Sequence, residues 1–262
     1  GHSWEMGGYG LDPAQRLIGV KLGEMGVNAF FALSGVLVTQ SWLRSRSAGS
    51  YFLKRALRIF PGFWICLLLT SLIAMPLLAA HLNGDSWAEQ LAQGDYLSYL
   101  GRNFFLRVRQ AGMGGLFATN PAAFAVNGSL WSLFPEALCY IGVALTIFIG
   151  TKVGGKTRTL IMAFATLYLL HVLELANSPE RFPPAWRGKI WYLGQVIGQA
   201  VFFFCGALVC LNASRINARF VGVAALLLIG LSATGCYKLA APLLLPWVLA
   251  GAGTLLAAGG VE

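Results

Sequence analysis

The sequence predicts an all-α fold, a polytopic transmembrane helical bundle, and three observations predict it. Hydrophobic residues make up 57% of the 262 residues and charged residues only 11%, against roughly 25% charged in a soluble domain. The mean hydropathy is +0.67, so most of the surface must face something other than water. The apolar residues also fall in blocks close to the ~20 residues that cross a bilayer as a helix. The alternating segments of roughly ten residues that mark a membrane β-barrel are not visible.

Seven apolar segments follow in order, at about 25–43, 59–80, 129–150, 159–176, 190–212, 220–237 and 242–260. Their connections are of two kinds. Those at 44–58, 151–158 and 213–219 carry Arg44, Arg46, Lys54, Arg55, Arg58, Lys152, Lys156, Arg158, Arg215 and Arg219, ten cations and no acid. Short cationic loops stay in the cytoplasm, so these three are predicted cytoplasmic. Residues 1–24, 81–128 and 177–189 then lie on the outer side, and all seven segments agree with one orientation. The 81–128 stretch is too long for a simple connection. Its "YLSYLGRNFFLRVR" mixes aromatic and apolar residues with Arg102, Arg107 and Arg109, as in an amphipathic helix or lid at the outer interface. "TNPAAFAVNGS" reads as irregular turn chemistry leading into the third segment. The whole of 1–262 reads as one integral-membrane domain, an excerpt cut at both ends, because it lacks a starting Met and ends in a glycine-rich apolar stretch.

Charge and cysteine usage exclude several classes. The net charge of +9 concerns topology here rather than nucleic acid, since in a membrane protein the placement of charges outweighs their sum. The five cysteines lie inside apolar runs without CxxC spacing, against a disulfide framework or zinc site. No GxSxG, HExxH or Walker lysine loop occurs, and no metal is expected. "GQVIG" at 194–198 fits the small-residue pattern of close helix packing.

Three features carry chemistry. Arg55 and Arg58 are spaced i, i+3 and would share a helix face. Two guanidinium forks there suit phosphate oxygens, while topology and lipid headgroups explain the same cations more plainly. Glu136 falls about seven residues into the 129–150 segment, roughly 10 Å deep at 1.5 Å per residue. An ionisable group within a span is a functional candidate, and a structural buried carboxyl is the competing reading. Pro135 before it would free a backbone carbonyl near Trp131. His2, in "GHSWEM", could act as a general base, or be a packing residue or a cloning remnant. His81 starts a loop, and His171 reads as a hydrogen-bonded helix residue.

Four stretches, in this order, resemble the membrane-bound acyltransferase 3 family, whose members O-acylate bacterial surface polysaccharides and related glycans. They are "GHS" at the start, "GVNAFFALSGVLVTQSWLR" at 26–44, "FLKRALRIFPGFW" at 52–64 and "NGSLWSLFPEALCY" at 127–140. The second half resembles the family only as a succession of apolar helices. The resemblance implies a domain of about ten helices, of which about seven are present. It makes His2 the catalytic histidine and matches Arg55 and Arg58 to paired arginines associated with the acyl donor. Glu136 matches the glutamate of the Ser–Leu–Trp motif. An arginine on a preceding first helix is normally present and is missing from this stretch, so a fragment this short should be inactive alone.

The expected function is transfer of an acyl group, acetyl above all, from acyl-CoA to a glycan hydroxyl at the outer face of a bacterial inner membrane. Acyl-CoA is a co-substrate, and no bound cofactor or metal is expected. Arg55 and Arg58 would grip the coenzyme phosphates, and His2 would take the acceptor's proton directly or through an acyl-histidine. Glu136 would orient His2 or hold the acceptor. Trp131 would stack on a sugar ring, with Asn127 and Ser132 beside it as acceptor contacts. The alternative is a carrier for a lipid-linked or small polar solute, with Glu136 as coupling group. Such a carrier should show discontinuous helices in symmetric positions. A purely structural scaffold would leave Glu136 unexplained.

Overall fold

The computed structural model describes residues 10–113, 115–117, 126–177 and 179–259. Among them every regular element is helical. Helices α1 (Pro13–Ile18), α2 (Leu22–Arg44), α3 (Ala48–Leu68), α4 (Met75–Asn83), α5 (Trp87–Gln93), α6 (Tyr96–Asn103), α7 (Leu133–Lys152), α8 (Lys156–Ala176), α9 (Pro184–Leu211), α10 (Ala218–Ala233) and α11 (Tyr237–Gly259) follow in order. Each of the seven predicted apolar segments is helical over most of its described length, the sixth ending at Ala233 rather than 237. Five helical stretches, Leu22–Arg44, Ala48–Asn83, Gly128–Lys152, Lys156–Ala176 and Pro184–Leu211, are long and apolar enough to cross a bilayer. Large apolar side chains stand exposed along them, among them Leu37, Leu57, Ile141 and Leu145. A continuous apolar exterior of this kind needs a lipid surface, so the chain is a multi-pass membrane protein.

The chain divides into two compact units. In the first, residues 11–45 and 135–262, α9 is the central helix. Its residues 199–209 are buried without a break, and it packs against α2, α8 and α11. Two glycines let α2 and α9 come together. A Cβ on Gly35 would overlap the Phe203 carbonyl, and one on Gly206 would overlap the Ala32 carbonyl. The two are reciprocal, each helix offering a glycine to the other's backbone, as close helix pairs in membranes require. Phe31 and Phe203 are fully buried beside this crossing with ring centroids 6.5 Å apart.

The second unit, within residues 46–134, is built on the long stretch Ala48–Asn83. Residues 44–58, expected as a loop, are helical from Ala48. Ser47 caps α3 by accepting from the Ser50 amide, and the helix so begun starts well ahead of the apolar run. Between α3 and α4 lies a π-helical segment, Leu69–Ala74, followed by Pro76. A proline cannot serve the carbonyl four residues before it, here Leu72, and that oxygen accepts from Trp87 Nε1 at 2.9 Å. The stretch expected as one amphipathic helix or lid is two short helices, α5 and α6, and a pinned turn. Asn103 accepts from the Arg109 and Gln110 amides and donates to the Gln110 carbonyl. Gln110 in turn donates to Asp95 at 2.7 Å. Tyr96 and Tyr99 on α6 are buried.

Candidate functional site

The predicted site residues are divided between the two units. Arg55 and Arg58 lie within α3 in the second unit, so the i, i+3 spacing does place them on one helix face. Arg55 is half-buried with its guanidinium 6.0 Å from the centre of the buried Tyr51 ring, and Arg58 is exposed. An aromatic face within about 6 Å steadies a guanidinium without using its hydrogen-bond donors.

Asn127, Trp131 and Ser132 belong to the same unit and the structure brings them into one 3₁₀ turn, Gly128–Ser132, with Asn127 as its cap residue. Asn127 donates to Cys66 Sγ at 3.2 Å and accepts from Ser129 Oγ at 3.2 Å. Ser132 Oγ donates to the Ser129 carbonyl, and Trp131 is half-buried. The local chain explains this turn. Pro135 was expected to free a backbone carbonyl near Trp131 inside the span, but the α-helix begins only at Leu133 and Pro135 stands in its first turn, where its missing N–H has no partner to lose.

Glu136 follows in that first turn, in the first unit, and is 3% exposed. Tyr140, one turn on, donates its hydroxyl to the Glu136 carboxylate. A carboxylate at the N-terminal end of a helix is favoured by the helix dipole, and the buried hydroxyl holds its oxygen in one orientation. Tyr140 is in turn held against Phe203, with centroids 6.0 Å apart. The general base expected at His2 lies outside the described residues.

The first unit contains a further polar constellation that the family motifs do not mark. A cleft with about 510 Å³ of atom-free space, partly open to the exterior, lies where α2, α8, α9 and α11 meet at one end of the bundle. Glu24 and Asn28 come from α2, His171 and Glu174 from α8, Gln199 from α9 and Tyr237 from α11. Asn28, His171, Gln199 and Tyr237 are all at least nine-tenths buried. Gln199 Nε2 donates to Asn28 Oδ1 at 3.2 Å. Glu174 and His171 reach the α9 surface at the two glycines of "GQVIG". A Cβ on Gly194 would overlap the Glu174 carboxylate, and one on Gly198 would meet the His171 ring at 3.6 Å. The pair was expected to serve helix packing; it receives two polar side chains of α8.

Sequence reasoning placed His171 as a hydrogen-bonded helix residue, which it is: its Nε2 lies 3.2 Å from the Lys238 carbonyl. It missed the cluster, although Glu24, Asn28, Glu174 and Gln199 were visible as polar residues within or beside the apolar runs. What connects them is the packing of four helices far apart in the chain, which no local spacing encodes.

The comparisons with known proteins agree with these observations. The family model described as an acyltransferase domain, acyltransferase 3, matches residues 1–261. "Nodulation protein 10" of Rhizobium leguminosarum bv. viciae is 28% identical over 208 residues, 75% of this chain and 51% of that protein. The "O-acetyl transferase" of Shigella phage Sf6 is 29% identical over 178 residues, 66% of this chain and 50% of that protein. The chain spans about half the length of these curated relatives. No solved structure matches it. A family match over virtually the whole chain, on a multi-helix membrane fold with a buried glutamate in the Ser–Leu–Trp stretch, places this chain in the acyltransferase 3 family of membrane acyltransferases.

Proposed function

We propose that the chain is part of an enzyme that moves an acyl group, acetyl above all, from acyl-CoA to a hydroxyl of a cell-surface polysaccharide or related glycan. It would act as a multi-pass protein of the bacterial inner membrane, with 44–58, 151–158 and 213–219 in the cytoplasm. The observation that carries this reading is the arginine pair on a folded helix within a chain of this family. Arg55 and Arg58 share one face of α3, Arg55 steadied by Tyr51 and Arg58 open to an incoming group. Two adjacent forks suit a diphosphate better than lone lysines would.

In the reaction the acceptor oxygen forms a bond to the thioester carbonyl carbon as the carbon–sulfur bond breaks. His2 takes the hydroxyl proton and returns it to the departing coenzyme thiolate. Glu136, held by Tyr140, orients the imidazole or the acceptor. Asn127 and Ser132 serve the acceptor hydroxyls and Trp131 its ring face. The thioester is already activated, so no metal has a role. A carrier would need paired helix interruptions; among the described residues one span is interrupted by a π segment, Leu69–Ala74.

The test is made in the full-length protein. Replacing both Arg55→Lys and Arg58→Lys keeps the charge and loses the forks, and should weaken acetyl-CoA binding about tenfold or more, since charge-assisted bonds are worth roughly 1.5–3 kcal/mol each. Unchanged binding and transfer would remove the arginine clamp from the mechanism. Membranes given radiolabelled acetyl-CoA should put label into glycan; no label, with solute transport intact, would favour the carrier.

A further inference from the structure

The geometry points to the cleft among α2, α8, α9 and α11 as a binding site for a hydroxyl-rich group, a sugar or other polyol, which His171 and Gln199 hold by accepting its hydroxyl protons. As the acceptor's docking place this rests on the acyl-transfer reading, but the binding site itself does not.

The argument starts from Pro242. In α11 the carbonyl of Lys238 would accept the amide N–H of residue 242, and proline has none. His171 Nε2 approaches that released oxygen at 3.2 Å. A carbonyl only accepts, so Nε2 carries the proton, and the neutral ring keeps its acceptor lone pair on Nδ1. Tyr168, one turn earlier on α8, donates to the next carbonyl, Leu239, at 2.9 Å. The ring is thus fixed in place and in tautomer. Its Nδ1 is buried and has no hydrogen-bond partner, and the same holds for Gln199 Oε1. Leaving such acceptors unserved costs about 1–3 kcal/mol each, so an occupant with donors is called for.

The lining selects the occupant. Glu24 and Glu174 add acceptors and outnumber the one cation of the lining, Lys238, so the cleft disfavours a multiply charged anion such as the coenzyme's phosphates. Among the described residues no grouping of His, Cys, Asp and Glu could hold a metal ion. Part of that atom-free space runs out into open solvent; about 90 Å³ of it is open to the centre of a water-sized sphere, several times the roughly 10–15 Å³ that one water needs on that measure. Its position also fits. His171 stands fifteen residues, about 22 Å, along α8 from its start at Lys156, which with Lys152 flanks the short 153–155 connection. If that connection is cytoplasmic, the cleft opens near the opposite face, where a surface glycan is met.

The test uses the full-length protein in lipid nanodiscs and saturation-transfer NMR with methyl glycosides of glucose, galactose, rhamnose and N-acetylglucosamine as probes. At least one should receive saturation from the wild type. Gln199→Met should lose it, and Gln199→Glu, which keeps an acceptor, should retain it. His171→Gln can still donate to the Lys238 carbonyl but lacks the Nδ1 acceptor. It should weaken binding about tenfold, and it decides the matter if Gln199→Met does not fold. Acetyl-CoA binding, measured in parallel, should be unchanged in every folded variant. No saturation of any glycoside, or saturation that survives both Gln199→Met and His171→Gln, overturns the site. Binding of glucosamine without neutral glycosides overturns its hydroxyl specificity. Glycoside binding in a protein that never binds acetyl-CoA leaves the site standing and removes the acyl-transfer reading instead.

Discussion

Adding one methyl group to the α2–α9 crossing should loosen the first unit measurably. A Cβ on Gly35 would stand 2.8 Å from the Phe203 carbonyl carbon and 3.1 Å from its Cα, and closer still to the oxygen. These are backbone atoms of a buried helix and no rotamer change relieves the overlap, so the helices must part by something on the order of 1 Å. Overpacking of this kind costs about 1–3 kcal/mol. At about 2–4 °C per kcal/mol, the range for chains of roughly 150–250 residues, Gly35→Ala should melt ~2–12 °C below the wild type. On the other side of the crossing, a Cβ on Gly206 would overlap the Ala32 carbonyl and stand 3.1 Å from the Val36 amide. Once the helices have parted for one methyl, the second fits more easily, so the double variant should fall short of the sum of the singles. Gly230, with nothing within 4 Å of its built Cβ, is the control and should be neutral. Melting of detergent-solubilised protein, followed by size-exclusion fluorescence, reads all four. A Gly35→Ala protein that melts with the wild type, or a strictly additive double, would refute the reciprocal contact.

Other outcomes follow from single contacts. Tyr140→Phe removes the donor to the buried Glu136 carboxylate and should cost about 1.5–3 kcal/mol, seen as a lower melting temperature, while Glu136→Gln should fold and fail in acetyl transfer. Trp87→Phe leaves the Leu72 carbonyl without its indole donor and should destabilise by about 1 kcal/mol; an unchanged melt would mean that water serves that oxygen. Asp12 should make stability pH-dependent at the acid end. Burial opposes its ionisation, but the amides of Leu22, Gln15 and Ala14 prevail and hold its carboxyl below the usual range. A depressed folded pKa adds stability above the unfolded value, 3.8, and loses it as pH falls through the folded one. Asp12→Asn should therefore melt lower than the wild type at neutral pH and converge with it in acid; a gap that persists in acid would assign the effect to something other than the charge.

The spans were legible because each is a long apolar run, and the run length alone decides that a helix forms in lipid. Their starts were less so. The Ala48 start of α3 and the Pro184 start of α9 lie before the apolar residues, set by a serine cap and by proline at the first helical position, signals that a search for greasy runs passes over. Within the site, Arg55 with Arg58 and Asn127 with Ser132 were readable because each pair is local in sequence. The Glu24, Asn28, His171, Glu174 and Gln199 cluster was not, since its members are brought together only by the crossing of separate helices. Gly35 stood in plain view within "FFALSGVL", but its reason, the Phe203 backbone, lies far along the chain.

Prolines offer a way to recover part of that hidden information. In an apolar segment a proline releases the carbonyl four residues earlier, and without water the oxygen must find a donor from a neighbouring element. Among the described residues two such oxygens have side-chain donors: Leu72, released by Pro76 and served by Trp87, and Lys238, released by Pro242 and served by His171. The two donors differ in what they leave over. An indole has a single N–H and, once that is spent, presents only ring to its surroundings. An imidazole that gives up one nitrogen keeps a lone pair on the other, so satisfying the backbone creates a new polar atom facing elsewhere. Pro242 thus accounts for a helix irregularity, a tautomer and an acceptor in the cleft at once. Pro242→Ala supplies an N–H to the Lys238 carbonyl, and should free the His171 ring to turn without removing any group from the cleft lining. If glycoside binding in that variant matched the wild type, the released carbonyl would not be what orients the histidine.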